Sequence, residues 1–250
     1  MLTIAISTFN KRIDFLNDYC FDDRVFYLIN WQSPINYNFK LPDNVKLIQL
    51  NTVGVACSRN AAIDFCQTPW IWFMDDDVVI PNDSISQVLG LIHSANQNNV
   101  FISGVKSPEG LDIKSYNLSC SDNVRSILSV GTIQIIANAT AIKNAKVQFP
   151  TNMGAGTENN LCDEPVFLHR LSKTIKNLKF VFPSGLYVIH PLERSGSVYS
   201  TKGSVRSRAM LFREIYGLPL CVFASIYFLC RHRKQIGKFW IYLFSFKRAS

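Results

Sequence analysis

The chain has 250 residues, 48% hydrophobic and 18% charged, which excludes a disordered polar chain and is enough to bury a substantial core. Its net charge of +8 is uneven: residues 1–200 hold 16 Lys/Arg against 17 Asp/Glu, and 201–250 hold 10 against the single Glu214. The basicity therefore belongs to the tail. The seven scattered cysteines (20, 57, 66, 120, 162, 221 and 230) form no CxxC pair, so they read as buried thiols in a reducing compartment, without a zinc site or disulfide framework. MLTIAISTFNKR has no basic n-region followed by an apolar run, so no secretory signal is read and the main body of the chain is expected in the cytoplasm.

Leu2 to Ser7 is a short apolar run closed by Ser-Thr-Phe-Asn, the pattern of a buried strand ending in a loop. Val25 to Ile29 repeats it before Asn30-Trp31-Gln32-Ser33, and Val45 to Leu50 gives a third strand. NTVGVACSRNAAIDFC, residues 51–66, keeps helical spacing after a glycine. Trp70 to Met74 is a fourth strand, and Pro81-Asn82-Asp83-Ser84 opens a helix to about His93. Strands are expected at Val100 to Ser103, Ile127 to Val130 and Ile133 to Asn138, followed by a Gly/Asn-rich loop at 152–157. A helix from Asp163 to Lys173 and strands at Lys179 to Phe182 and Leu186 to His190 complete an α/β pattern, in which ligands bind at the carboxyl ends of strands.

WIWFMDDDVVIP places Asp75, Asp76 and Asp77 at such an end. Three adjacent carboxylates raise one another's pKa unless a cation shares the site, and hard oxygen donors suit magnesium or manganese. A solvated turn is the plain alternative. On an extended chain Asp75 and Asp77 project to one side and Asp76 to the other.

These segments together resemble the GT-A glycosyltransferases of family 2. ISTFN (6–10) is similar to the family's nucleotide loop, GVACSRNAAIDFC (54–66) to its Arg-Asn helix, and WFMDDDVVIP to its DxD strand. The stretch from Val130 to Leu171 resembles the acceptor side, with a glycine loop and an acidic pair opening a helix. The likeness covers residues 1–200 and implies a GT-A mixed central sheet flanked by helices; the change of composition at about residue 201 makes 201–250 a basic and apolar helical appendage. It also implies a nucleotide-sugar donor, UDP by default, a divalent ion (Mn2+ or Mg2+) on its diphosphate, and inverting transfer to a saccharide hydroxyl.

Carried over by position, Thr8, Asn10 and Arg12 line the nucleotide, Arg59 holds uridine or its phosphate, and Asp75 and Asp76 face the donor. Asp77, with Asp75, holds the ion, and His190 completes the metal site or touches the diphosphate, a histidine that merely satisfies local backbone at a strand end being the plain alternative. The family presents Glu-Asp as its acidic pair; here the order is Asp163-Glu164, and alignment through Phe167-Leu168 puts Glu164 at the position of the general base. Both acids could instead complement the helix N-terminus. Asn30-Trp31-Gln32-Ser33 stands where many members have Asp-Asp-x-Ser, so Asn30 is read as a donor-binding amide. Lys202, Arg206 and Arg208 are candidates for a lid on the diphosphate, or for a solvated or lipid-facing basic face. Trp31, Trp70 and Trp72 are candidates for sugar stacking or for the core.

The tail reads LPLCVFASIYFLC (218–230), RHRKQIGK, FWIYLFSF, KRAS. Thirteen apolar or small residues make about 20 Å of helix, short of a bilayer core of about 30 Å. Aromatics beside Lys/Arg suit an interfacial anchor, so peripheral attachment to the inner membrane's cytoplasmic face is expected, the alternatives being a helical pair docking on a protein partner or a continuation of the GT-A core; the resemblance adds a lipid-linked acceptor and bacterial surface polysaccharide as the setting. The run is too apolar for a nucleic-acid arm. Two other classes stay open on the sequence: an inactive GT-A-like scaffold, given the reversed acidic pair, and a nucleotidyltransferase, which would be expected to carry a glycine in the loop STFNKR.

Overall fold

The computed structural model describes residues 1–36, 40–116, 120–121, 123–191 and 199–250. In chain order the strands are β1 (Leu2–Phe9), β2 (Phe26–Gln32), β3 (Val45–Leu50), β4 (Trp70–Asp75), β5 (Asn99–Ile102), β6 (Gly104–Lys106), β7 (Asp112–Lys114), β8 (Cys120–Ser121), β9 (Ile135–Asn138), β10 (Lys179–Val181) and β11 (Tyr187–Ile189). The α-helices are α1 (Val55–Phe65), α2 (Asn82–Ser94), α3 (Ala139–Ala145), α4 (Asp163–Thr174), α5 (Lys202–Tyr216) and α6 (Leu220–Ile236), with 3-10 turns at Asn10–Asn17, Val124–Ile127, Thr132–Gln134 and Gly237–Phe244.

Eight strands form one mixed sheet in the order β3-β2-β1-β4-β9-β5-β10-β8, and β11-β6-β7 form a small second sheet. The strands from β3 to β4 are all parallel, and β9 enters antiparallel to both β4 and β5. A strand buried on both faces is apolar at every position, and WIWFM shows why. Trp70, Trp72 and Met74 point into one core with Leu2, Ile4 and Ile6, where α2 adds Ile85, Val88 and Ile92. Ile71 and Phe73 point into the other with Ala5 and the inner faces of α1, α3 and α4. The sheet is thus sandwiched between helices, and the mixed α/β architecture matches the expectation. Trp31, Trp70 and Trp72 are all core residues; Trp31 Nε1 donates to the Asn10 carbonyl at 2.8 Å and Trp72 Nε1 to that of Ile133 at 3.0 Å.

Two expectations need correction. Ile127 to Val130 is not a strand: the Asn123 side chain accepts from Arg125 N at 2.9 Å and starts a helical turn, and the buried pair Ile127 and Val130 has the i, i+3 spacing of that turn. The seven cysteines are unpaired, but Cys20, Cys120 and Cys230 are exposed and Cys57 is half-buried, Cys120 lying on the edge strand β8.

The tail is packed onto the sheet-bearing part. Met210 and Leu211 of α5 share a small core with Met153, Cys162, Val166 and Ala249, and Arg170 Nε donates to Glu214 Oε1 at 2.7 Å. Arg206 is spent on Asn159 Oδ1 (2.5 Å) and Glu158 Oε2 (2.8 Å), while Arg208 packs against the Tyr199 and Phe228 rings and Lys202 over Tyr242. The chain then returns, so that Asn152 Nδ2 donates to the Arg248 carbonyl at 3.0 Å.

Gly203, at the start of α5, sits so close to the preceding loop that a Cβ there would meet the Glu158 carbonyl oxygen at 2.3 Å. Gly203→Ala is expected to destabilise by about 1–3 kcal/mol. Gly90, inside α2, has open space around it, so Gly90→Ala is expected to stabilise by about 0.5–1 kcal/mol. Thermal unfolding of the two variants checks both signs.

Candidate active site

The carboxyl ends of β1, β2 and β4 lie level, Ser7 being paired with both Asn30 and Asp75. A cavity of about 410 Å3 opens there. Thr8, Arg12, Gln32, Arg59 and the three aspartates line it; His190 closes one side and the backbone of Gly54 and Gly156 another. His190 is delivered by backbone bonds between Val79 and Ile189, both 2.9 Å, and its Nε2 lies 3.5 Å from Asp77 Oδ1.

The period-two rule for the aspartates ends at Asp75, because the chain turns there and Val78 N donates back to the Asp75 carbonyl at 3.3 Å. Each carboxylate consequently has its own environment. Asp76 accepts from Thr8 Oγ1 at 2.6 Å and from Arg12. Asp77 receives the same guanidinium at 3.0 Å. Among the described residues the one ion-pair partner of Asp75 is Arg59 Nη2, 3.9 Å away.

Arg59 is the hub. It is 5% exposed, donates from Nη1 to Asp163 and, at 3.4 Å, to Glu164 Oε1, and lies with Cζ 5.6 Å from the Phe149 ring centroid. Its Nε has no partner among the described residues. Glu164 also accepts from Thr132 Oγ1 at 2.7 Å. The acid pair fits only because residue 154 is glycine: its φ is +89°, and a Cβ would come 2.7 Å from Asp163 Cγ.

Burial pushes Asp75 up, opposed by Arg59 and reinforced by Asp77 and Glu164; burial likewise raises Asp76 against the pull of Thr8 and Arg12. The pair at the start of α4 shares one guanidinium and titrates as a unit. Burial and the neighbouring Glu164 push Asp163 to about 7. Burial acts on Glu164 too, but Arg59 and the Thr132 hydroxyl outweigh it and hold that carboxyl below its ordinary range. Side-chain exposure separates the two further, 3% for Asp163 against 19% for Glu164.

Among the described residues no three His, Cys, Asp or Glu side chains form a ready cage for an ion. Asp75 and Asp77 are partly exposed hard-oxygen donors beside the cavity. That partial set fits magnesium or manganese, which complete their shell with water and phosphate oxygens, and a cation would relieve the crowding that raises Asp75.

Of the residues read from the sequence, Thr8, Arg12, Arg59, Asp75, Asp76, Asp77 and His190 line one cavity, and Asp163 and Glu164 join it through Arg59. Asn10 and Asn30 do not line it. Asn10 turns back, its Nδ2 donating to the Ser33 carbonyl at 3.3 Å; Asn30 is fully buried under α1, where Nδ2 donates to the Ser58 carbonyl at 3.2 Å. Gln32, two residues further along the same strand face, takes the place expected of Asn30. Its Nε2 is held by the Thr52 and Gly54 carbonyls at 2.8 and 3.1 Å. Thr132 also escaped the sequence reading, since no motif marks a hydroxyl 32 residues before its carboxylate.

Residues 32–152, with Arg59 and the three aspartates among them, match the family described as glycosyl transferase family 2, a stretch just short of half the chain. The acid pair and His190 lie beyond it. Solved structures agree on the fold. TarS of S. aureus superimposes with a TM-score of 0.61 at 15% identity over 92% of this chain. Its residues 1–349 in complex with UDP-GlcNAc give 0.63 at 16%, covering 93% of this chain and 72% of that one. The mannosyltransferase PcManGT of Pyrobaculum calidifontis, in complex with GDP-Man and Mn2+, gives 0.53 at 11%, covering 97% and 84%. The chain spans 43% of the length of the longer TarS structure. No curated protein matches the sequence.

Removing Arg59 strands its carboxylates. Arg59→Ala is expected to destabilise by about 3–5 kcal/mol at pH 8 and by less at pH 5. Without the guanidinium the acid pair's folded pKa values rise above the unfolded ones, so the stability that protonation supplies is present at low pH and lost as pH rises through the folded values. Unfolding midpoints of wild type and variant at the two pH values check the widening gap.

Proposed function

We propose that this chain transfers a sugar, with inversion, from a nucleotide-sugar, UDP-linked by default, to a hydroxyl of a saccharide acceptor. The supporting observation is the reach of Arg59, which ties the acidic end of β4 to the acid pair of α4 beside one cavity. Neighbours of the same fold hold UDP-GlcNAc and GDP-Man. Gln32 has its amide nitrogen committed to Thr52 and Gly54, which leaves the amide oxygen to accept from an imide N–H such as that of uracil.

Asp75 and Asp77, with His190 alongside, would hold the divalent ion; when bound, it neutralises charge developing on the departing diphosphate. Arg59 keeps Asp163 in place and Glu164 ionised. Glu164 takes the proton of the acceptor hydroxyl, the acceptor oxygen bonds to the anomeric carbon, and the bond from that carbon to the diphosphate oxygen breaks with its electron pair leaving on the diphosphate. The acceptor is proposed to be lipid-linked, in surface polysaccharide assembly, with residues 1–200 catalytic and 201–250 attaching the enzyme peripherally to the cytoplasmic face of the inner membrane. Among the described residues no helix is long and apolar enough to cross a membrane.

Calorimetric titration of UDP, with and without manganese, tests the donor site. Tight binding that needs the metal and is lost in Asp77→Ala is the expected result, whereas binding indifferent to both would remove the metal role and absence of binding would remove the UDP reading. Glu164→Gln is expected to lower turnover of a UDP-sugar by about 10²–10⁴-fold with UDP affinity retained. If Asp163→Asn alone abolished turnover, the base would be assigned to the wrong acid.

A further inference from the structure

Half of the exposed large apolar side chains among the described residues, seven of fourteen, fall within residues 218–241. Helix α6 explains the concentration, because it is apolar on two faces. Its inner face is already used: Cys221 and Ser225 are buried, Ser225 Oγ donates to the Leu243 carbonyl at 2.9 Å, and Phe228 packs edge-on against Tyr199 and Phe212. The outer face repeats at three- and four-residue steps through Leu220, Phe223 and Tyr227, the last two each 66% exposed, with Ile226 beside them. A water-facing helix surface is normally polar, so this one lacks a partner of apolar character.

The charge next to it says which. Arg231, Arg233, Lys234 and Lys238 follow within the next turns and are exposed, and no carboxylate among the described residues lies within ion-pair distance of them. Glu214, the segment's one acid, is taken by Arg170. Trp240 and Ile241 add two more exposed large side chains just beyond. An apolar stripe continuing into unpaired cations complements an anionic lipid surface, where acyl chains receive the rings and headgroups receive the charges. With no helix among the described residues long and apolar enough to cross a membrane, α6 would lie in the plane of the interface.

We propose, resting on the peripheral attachment inferred above, that the outer face of α6 is an in-plane binding surface for anionic phospholipid, with Phe223 and Tyr227 entering the acyl boundary and Arg231, Arg233, Lys234 and Lys238 meeting headgroups. None of these residues touches the cavity at the strand ends.

The test is cosedimentation of the full chain with vesicles of equal parts phosphatidylglycerol and phosphatidylcholine, and with phosphatidylcholine alone, beside light scattering without lipid. Binding to the anionic vesicles is expected to be at least about tenfold tighter than to the neutral ones and to weaken with added salt. The double variant Phe223→Ser, Tyr227→Ser should lose it while keeping its unfolding midpoint, and Arg233→Glu, Lys234→Glu should lose the preference for anionic lipid. Equal binding to both vesicles, no binding, or a lipid-free dimer that the first variant dissociates would overturn the proposal, the last assigning the face to a second copy. UDP titration of the same preparations separates the two readings: vesicle binding lost with UDP binding intact removes the surface and leaves the donor site standing.

Discussion

A single buried guanidinium organises the molecule's functional end. An ion taken out of water loses several kcal/mol of solvation, recovered only where opposite charges are held at close range. Arg59 meets that condition through residues more than 100 positions apart in the chain, Asp163 and Glu164 on α4, and through Asp75 at the end of β4. The consequence is geometric. Helices α1 and α4 are pinned to each other across the face of the sheet, the Phe149 ring fills the space against the guanidinium, and the loop at Gly154 passes within contact of the acid pair.

The three adjacent aspartates become intelligible on the same terms. They do not act as one anionic block. Asp76 is neutralised locally by Thr8 and Arg12, Asp77 shares Arg12 and leans to His190, and Asp75 is left with a distant Arg59. Repulsion that would be unfavourable on a bare strand is divided among separate partners, and the remainder faces the cavity.

Much of this was legible in the sequence where the period was strong. Continuous apolar runs gave β1, β3 and β4 nearly to the residue, and Pro81-Asn82-Asp83-Ser84 marked the start of α2. What escaped was short or polar. β6, β7 and β8 have two or three residues each and little alternation. α3 begins at the residue after β9, where Asn138 ends the strand and caps the helix through Ala141 N, so one residue served two signals. The misplacement of Asn30 has a similar cause: β2 runs three residues beyond the expected Ile29, carrying the cavity edge to Gln32. Short contacts of Arg59 with the acid pair were not derivable from spacing at all, since they depend on how α1 and α4 are placed by the sheet.

The return of the chain end to the loop at 151–160 means that the change in charge at residue 201 marks no break in packing. Thr151 N donates to the Ser250 carbonyl at 2.6 Å, Arg170 Nη2 to that of Ala249 at 2.8 Å, and the loop they fix supplies Ala155 and Gly156 to the cavity wall. The tail is therefore not an interchangeable module. Shortening it, or grafting another in its place, would uncover Met153, Cys162 and Val166 and slacken one wall of the cavity at the strand ends, so changes in this segment would be felt at a site its residues do not line.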